Sequence, residues 1–370
     1  MRSPANRHLL HIFPSFGVGG IQVRFARLAN QFGMKYRHTV VSLDGVTTCA
    51  SRLNTDLAVE LRPVNLRDRN LFRRMIGIRA ILREISPDLL LTYNWGAVEW
   101  GLANLIFRSC RQVHFEDGFG PEEADRQLRR RVLMRRLVLR RPIKTVVPSR
   151  NLERIARDIW RLDPRRIAYV PNGIRVDPID SATTAAPLAT FARKAGDIVI
   201  GTIAPLRPEK NIGRLIRAFA KIPNIRTCHL VIVGDGVARS GLEQLAHELG
   251  VAERVHFTGH MESPERALTT FDIYAISSDT EQMPLTVLEA MAAGLPVAGV
   301  DVGDVKAMLA PANRDLIVAK DDMDGLVASI VSLSTDASSR KSCGRQNRQH
   351  AAAEYSEDRM FAAYDQVFSL

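Results

Sequence analysis

Short runs of consecutive apolar residues alternate along the chain with longer segments whose apolar positions recur at helical spacing. The runs at 8–13 (HLLHIF), 38–43 (HTVVSL), 89–93 (LLLTY), 145–148 (TVVP), 198–203 (IVIGTI), 229–234 (HLVIVG) and 272–277 (DIYAIS) read as parallel strands buried on both faces. Helical patterns lie between them, at 21–32, 71–85, 212–221, 239–249 and 284–293 among others. Such alternation predicts βαβ units and doubly wound parallel sheets. It comes in two blocks, interrupted near 174–197, a stretch rich in Ala, Thr, Pro and Asp that reads as a connection. The expected fold is therefore α/β, with Rossmann-like domains at 1–180 and 181–355 facing across a cleft. A last segment, 356–370, completes the chain. Ligands of doubly wound sheets bind beyond the carboxyl ends of the strands, so the loops there are the place to look for chemistry.

Length supports two cores, since 370 residues exceed what one typical domain holds. No apolar run reaches the roughly 18 residues of a membrane-spanning helix. The apolar start LLHIFPSF is interrupted by His11 and Pro14 and does not read as a signal peptide. Cys49, Cys110, Cys228 and Cys343 are scattered without metal-ligand spacing, which fits a reduced cytoplasm. Charge is unevenly divided: 32 basic against 17 acidic residues lie in 1–180, and 19 against 23 in 181–370. The net +11 thus belongs to the first half.

The most informative stretch is SDTEQMPLTVLEAMAAGLP (278–296). Pro284 and Gly294 punctuate a helix from about 284 to 293, with Glu281 in the loop that feeds it and Glu289 inside it. Backbone N–H groups from Met283 to Thr286 then lack intrahelical partners and form an anion-binding end. A carboxylate on either side of a phosphate-binding helix start suits a nucleotide-sugar, one acid accepting from sugar hydroxyls and the other from ribose. The alternative is a surface Glu and an ordinary helical Glu.

Other loops after strands add candidates. FPSFGVGGIQ (13–22) places Gly17, Gly19 and Gly20 before a helix, but the dinucleotide fingerprint fails because Gln22 stands where the third glycine belongs. The readings are a phosphate- or sugar-contacting loop or a tight structural turn. In IAPLRPEKN (203–211), Arg207 and Lys210 could converge on one diphosphate, as a planar fork and a compact point charge. VGDGVARSG (233–241) also misses the fingerprint and reads as a turn after a strand, with Gly234 near a nucleotide base or ribose. HFEDGFGPEEA (114–124) clusters His114, Glu116 and Asp117 at a strand's end.

Residues 126–141 contain eight arginines, and their apolar residues form two patches rather than one stripe. A solvated face, adhesion to anionic lipid and nucleic-acid contact are the readings, the last weakened by the lack of an aromatic stacking platform. The Asp-x-Asp-like run at 321–324 more simply caps the helix that follows it, so no metal is assigned.

With these motifs on the page, the chain resembles the family 4 (group 1) glycosyltransferases, which are retaining enzymes of GT-B fold. FDIYAISSDTEQMPLTVLEAMAAGLPVAGVDVG carries the likeness, supported by RPEKNIGRLIRAF, HLVIVGDGVARSGLEQLAHELGVAERVHFTG, VPSRNLERI with VPNGI, and the GVGG loop. The resemblance implies that Glu281 contacts donor-sugar hydroxyls, Glu289 the ribose and Lys210 the diphosphate. It implies also that backbone at Met283, Pro284 and Leu285 holds sugar and phosphate, and that 356–370 is a helix packing back on the first domain. Three positions depart from the family pattern. Pro205 stands where an Arg is usual five places before Lys210, and Gln282 where Gly often follows the first acid. Asp117, rather than His114, aligns with the family's first-domain His.

The resulting expectation is a cytoplasmic, peripherally membrane-associated retaining glycosyltransferase, using a UDP- or GDP-sugar without metal and a glycan or lipid-linked acceptor. Glu281, Asp117 and His114 are its candidate catalytic residues. Gly19, Gly20, Arg207, Lys210, Gly234, Met283, Pro284, Leu285 and Glu289 are its candidate donor contacts. A non-catalytic membrane-associated nucleotide-sugar binder and a nucleic-acid-binding protein are the alternatives.

Overall fold

A computed structural model of the chain describes residues 7–370 apart from 65, 67–69, 124–125, 177–192 and 224–226. Most of the stretch read as a connection, 174–197, therefore lies outside the described residues. Two compact units emerge: Met1–Pro171 with Met360–Leu370, and Asn172–Arg359. The division falls ahead of the expected boundary at 180 for a physical reason. Ile174 is buried in the second unit's core, and its amide donates to the Tyr355 carbonyl at 2.7 Å.

The first unit is built on seven parallel strands: β1 (Arg7–Phe13), β2 (Tyr36–Ser42), β3 (Val59–Leu61), β4 (Leu89–Tyr93), β5 (Arg111–Phe115), β6 (Lys144–Val147) and β7 (Ile167–Tyr169). Their order is β3-β2-β1-β4-β5-β6-β7, so the chain reverses direction of winding between β1 and β4. Alternation along β1 feeds both layers. Leu9 and Phe13 join one buried cluster with helix Gly20–Phe32 and the final helix Glu357–Phe368, while Leu10 and Ile12 join another with helices Leu71–Ile85 and Val98–Phe107. The final helix is fixed by Phe368 and Tyr364, both buried, and by Asp365, which accepts from Lys35 Nζ at 2.5 Å and Tyr36 Oη at 2.8 Å.

Six parallel strands form the second unit: β8 (Ile198–Ile203), β9 (Cys228–Val233), β10 (Val255–Gly259), β11 (Ile273–Ile276), β12 (Val297–Val300) and β13 (Ile317–Val318). Their order is β10-β9-β8-β11-β12-β13, which repeats the winding of the first sheet and puts its reversal between β8 and β11. Both units are thus doubly wound. The nearly unbroken apolar runs of β8, β9 and β11 follow from burial on both faces.

Candidate active site

In the second unit the loops after β8 and β11 meet beside the winding reversal, where a doubly wound sheet leaves room for a ligand. Lys210 ends the short 3-10 turn Pro208–Lys210, and its Nζ lies 2.6 Å from Oε1 of Glu281 in the loop after β11. Ser278 Oγ donates to the same carboxylate oxygen at 2.7 Å. The two loops are tied together behind this pair. Arg214 donates to the Ser277 carbonyl at 2.6 Å and to Asp279 at 2.7 Å, while Asn211 Nδ2 donates to Asp279 and the Asp279 amide to the Glu209 carbonyl. Burial alone would raise the Asp279 carboxyl, but hydrogen bonds from Asn211 and Arg214 outweigh it and hold it below its ordinary value.

Helix Leu285–Ala292 opens on this site with Pro284 as its N-cap, in extended conformation and without a side-chain cap for the first turn. The expectation placed Pro284 inside the helix; its ψ of 123° puts it one position outside. The N–H groups of the first turn remain the positive end of the helix. Beneath it, burial raises the Tyr274 phenol above its ordinary value, Thr286 opposes the shift by hydrogen bonding, and the charges of Glu281 and Glu289 add to it. Both acids therefore act on the same buried ring, Glu281 from the loop and Glu289 from the helix. The loop's path is fixed from two sides. Asn172 Nδ2 donates to the Met283 carbonyl at 3.0 Å, and the Asp304 amide donates to the Gln282 carbonyl at 2.8 Å. Gly303, at φ +58°, packs so tightly that a Cβ there would lie 2.3 Å from the Glu281 carbonyl oxygen.

Arg207 is exposed and forms no ion pair among the described residues, so it differs from Lys210 in being uncommitted. Gly234 serves the scaffold. A Cβ on it would meet the Ala204 carbonyl oxygen at 2.0 Å, and its amide donates to Gly259. This contact, with the Leu206 amide donating to the Asp235 carbonyl, stitches the β9 loop to the loop holding Lys210.

In the first unit, the loop after β1 carries Gly19 as N-cap of helix Gly20–Phe32. Gly17, Gly19 and Gly20 all lack positive φ, so the backbone does not itself demand glycine there. A Cβ on Gly17 would make ordinary contacts, and one on Gly19 would meet the movable end of Gln22. From that helix, buried Arg24 reaches Asp117 at 2.6 Å, and the Asp117 amide donates to Asn94 Oδ1 at 2.7 Å. Burial pulls the Arg24 guanidinium down, yet Asp117 more than compensates and the net shift is upward. His114, by contrast, is 1% exposed, with Nδ1 2.9 Å from Thr92 Oγ1 and Nε2 3.5 Å from Glu116. Phe13, Tyr93 and Phe115, at the ends of β1, β4 and β5, stack in sequence with Tyr364 of the final helix and form the floor under these loops.

The arginine-rich segment divides in two. Arg135, on helix Arg129–Val138, is fully buried against Trp95, Phe119 and Trp160 and pairs with Glu123 at 3.0 Å and Glu116 at 3.4 Å. Arg131 pairs with Glu122 and Glu123 and lies over Trp95. These two charges are structural and correct the reading of the whole run as a solvated or lipid-facing surface. Arg129, Arg130, Arg140 and Arg141 are exposed, as are Leu133 (68%) and Leu137 (50%) on the same helix.

Comparison with known proteins identifies the frame in which these loops work. The family model for glycosyl transferases group 1 matches residues 189–350, and that for glycosyltransferase family 4 matches residues 18–178. The chain belongs to the group 1 glycosyltransferases. A lipopolysaccharide core biosynthesis glycosyltransferase, LpsE of Rhizobium meliloti, is 26% identical over 217 residues, covering 59% of this chain and 61% of the relative. N-acetyl-alpha-D-glucosaminyl L-malate synthase of Bacillus anthracis is 25% identical over 166 residues, covering 45% and 44%. The matched part thus spans about half the length of these curated relatives. Among solved structures, Anabaena Alr3699/HepE in complex with UDP superposes with a TM-score of 0.81 at 18% identity, covering 98% of this chain and 99% of that one. The fold is GT-B.

Within this glycosyltransferase the structure brings Lys210, Glu281, Glu289, Met283, Pro284 and Leu285 to one strand-end site of the second unit. Asp117, Gly19 and Gly20 lie at strand-end loops of the first. His114 is internal to its sheet. Sequence reasoning missed Asn211, Arg214, Asp279, Asn172 and Gly303, which hold the loops in place. Their signal was proximity: Asn211, Arg214 and Asp279 fall inside the motifs around Lys210 and Glu281.

Proposed function

We propose that this glycosyltransferase transfers a sugar, with retention of configuration, from a UDP- or GDP-sugar to a hydroxyl of a glycan or lipid-linked acceptor. The observation that carries the reading is the Lys210–Glu281 pair beside the uncapped start of helix Leu285–Ala292. Lys210, the uncommitted Arg207 and the first-turn N–H groups supply positive charge where a leaving diphosphate develops negative charge. Glu281 orients Lys210 and accepts from donor-sugar hydroxyls; Glu289 accepts from the ribose. The bond from the anomeric carbon to phosphate oxygen breaks, the bond to the acceptor oxygen forms, and the acceptor proton passes to the departing phosphate. Because protein cations stabilise the diphosphate, the reaction is proposed to run without a metal, and chelator should leave its rate unchanged.

On the acceptor side, both carboxylate oxygens of Asp117 accept from Arg24, which fixes Asp117 at the end of β5, whereas His114 positions β4 and β5 through Thr92 and Glu116. Solved complexes of Alr3699/HepE with UDP and with UDP-glucose support a nucleotide-sugar donor. LpsE supports a lipid-linked glycan acceptor, and the exposed Leu133, Leu137 and neighbouring arginines support peripheral contact with an anionic membrane. The test is donor screening followed by transfer assays on lipid extracts. Glu281→Ala and Lys210→Ala should each abolish transfer in folded protein; full activity in both would sink the assignment. Donor binding without turnover on any acceptor would instead mark a non-catalytic binder.

A further inference from the structure

At the opposite end of the first sheet lies a cavity that the proposed reaction does not use. It measures about 660 Å³ and is lined by Arg108, Arg111, Arg140, Arg141 and Arg166 around a floor of Asn104, Gln112, Cys110 and Ile143. Every one of these residues except Asn104 belongs to β5's first residues or to the loops that enter β5, β6 and β7. The candidate acceptor-side residues sit where β4 and β5 end. At about 3.3 Å per residue, the five-residue β5 separates the two ends by about 16 Å.

All five arginines are exposed, and three features bear on what they can hold. No carboxylate lines the cavity, and none of its five arginines forms an ion pair among the described residues. No protein carboxylate among the described residues balances their charge, in contrast to Arg131 and Arg135 on the neighbouring helix, which have their own acids. The floor is rigid. Asn104, 1% exposed, donates to the Cys110 carbonyl at 3.0 Å and to Gln112 Oε1 at 3.1 Å, and accepts from the Ser109 and Cys110 amides. The rim is also held in place: Arg166 donates to the Arg140 carbonyl at 2.6 Å, fixing the turn that carries Arg140 and Arg141. Arg108 stands at φ +50° at the end of helix Val98–Phe107, where glycine or asparagine is the usual choice.

We propose that this cavity binds a diphosphate-bearing ligand at a site distinct from the donor site. Planar guanidinium forks match phosphate oxygens in pairs, and the volume falls within the range of small-molecule pockets and exceeds the needs of a lone phosphate. The same chemistry is found in a soluble diphosphate and in a phosphorylated lipid headgroup.

Calorimetric titration with inorganic pyrophosphate tests the site, using the full chain, Lys210→Ala and an Arg111→Ser/Arg141→Ser variant. Both arginines are exposed and their side chains form no hydrogen bond or ion pair among the described residues, and circular dichroism checks that the double variant is folded. Pyrophosphate should bind Lys210→Ala at this cavity, and its affinity there should fall about tenfold or more in the double variant. In parallel, phosphatidylcholine vesicles with and without phosphatidic acid report on the source of the ligand. Loss of pyrophosphate binding with unchanged vesicle capture supports a soluble diphosphate. Weaker capture of phosphatidic acid vesicles by the double variant, with pyrophosphate competing in the wild type, supports a lipid headgroup. If pyrophosphate binds Lys210→Ala as tightly with Arg111→Ser and Arg141→Ser added as without them, and vesicle capture is also unchanged, the site does not exist.

Discussion

Lys210 and Glu281 neutralise each other at 2.6 Å, so removing either leaves the other facing the site without its partner. Lys210→Ala should lower transfer by about a hundredfold or more, the scale of losing one preorganised contact to developing charge. Gly303 offers a sharper structural probe. Its φ of +58° and the Glu281 carbonyl beside it leave no room for a methyl group. Gly303→Ala should cost about 1–3 kcal/mol and weaken donor binding together with stability, which denaturation and titration on one preparation would show. Arg135→Ala leaves Glu116 buried without a guanidinium and Glu123 with Arg131 alone, and should cost about 3–5 kcal/mol in chemical denaturation. Little change there would mean the pairs contribute nothing net. The acids of the second unit and Lys210 were legible because short motifs between strong strand patterns mark them. Arg135 was not, because Trp95, Phe119 and Trp160, which enclose it, are distant in sequence.

Strands that are long and central were readable as elements: 89–93 and 198–203 coincide with β4 and β8 because their apolar runs are continuous. The short strands β3, β7 and β13, at two or three residues each, carry no periodicity to read and take their conformation from their neighbours. Pro284 shows the limit at a helix end, since its fixed φ suits both the N-cap and the first helical position and ψ decides between them. The final helix supports the first unit through Tyr364, which stacks on Phe115 of the aromatic floor, and Phe368, which packs against Tyr364, Phe32 and Tyr36. Phe368→Ala should destabilise that unit by about 3–5 kcal/mol and lower acceptor-dependent turnover more than donor binding. Equal loss of both would contradict a role confined to the first unit.

For the molecule as a whole, the basic surplus of 1–180 includes arginines buried with acids, such as Arg135, exposed arginines paired with acids, such as Arg157 and Arg165, and the exposed arginines of the cavity, which form no ion pair among the described residues. Acid sensitivity follows from the core of the first unit. Burial lowers His11 well below 6.5, with His38 and His8 adding to the shift, and brings His38 to about 4. The unfolded chain takes up protons at these rings below pH 6.5, while in the folded chain His38 does not until about 4 and His11 is held neutral well below its ordinary value. Their contribution is therefore intact at neutral pH and lost as pH falls from 6.5 to about 4. Thermal unfolding should show a Tm that declines through this window, and a flat profile would contradict the buried neutral pair. The central claim, that the strand-end loops of the second unit hold the donor diphosphate, is tested most directly by titrating UDP and GDP into the wild type and Lys210→Ala. A loss of about tenfold or more in affinity for the preferred nucleotide is the predicted result. Unchanged affinity would place the donor elsewhere.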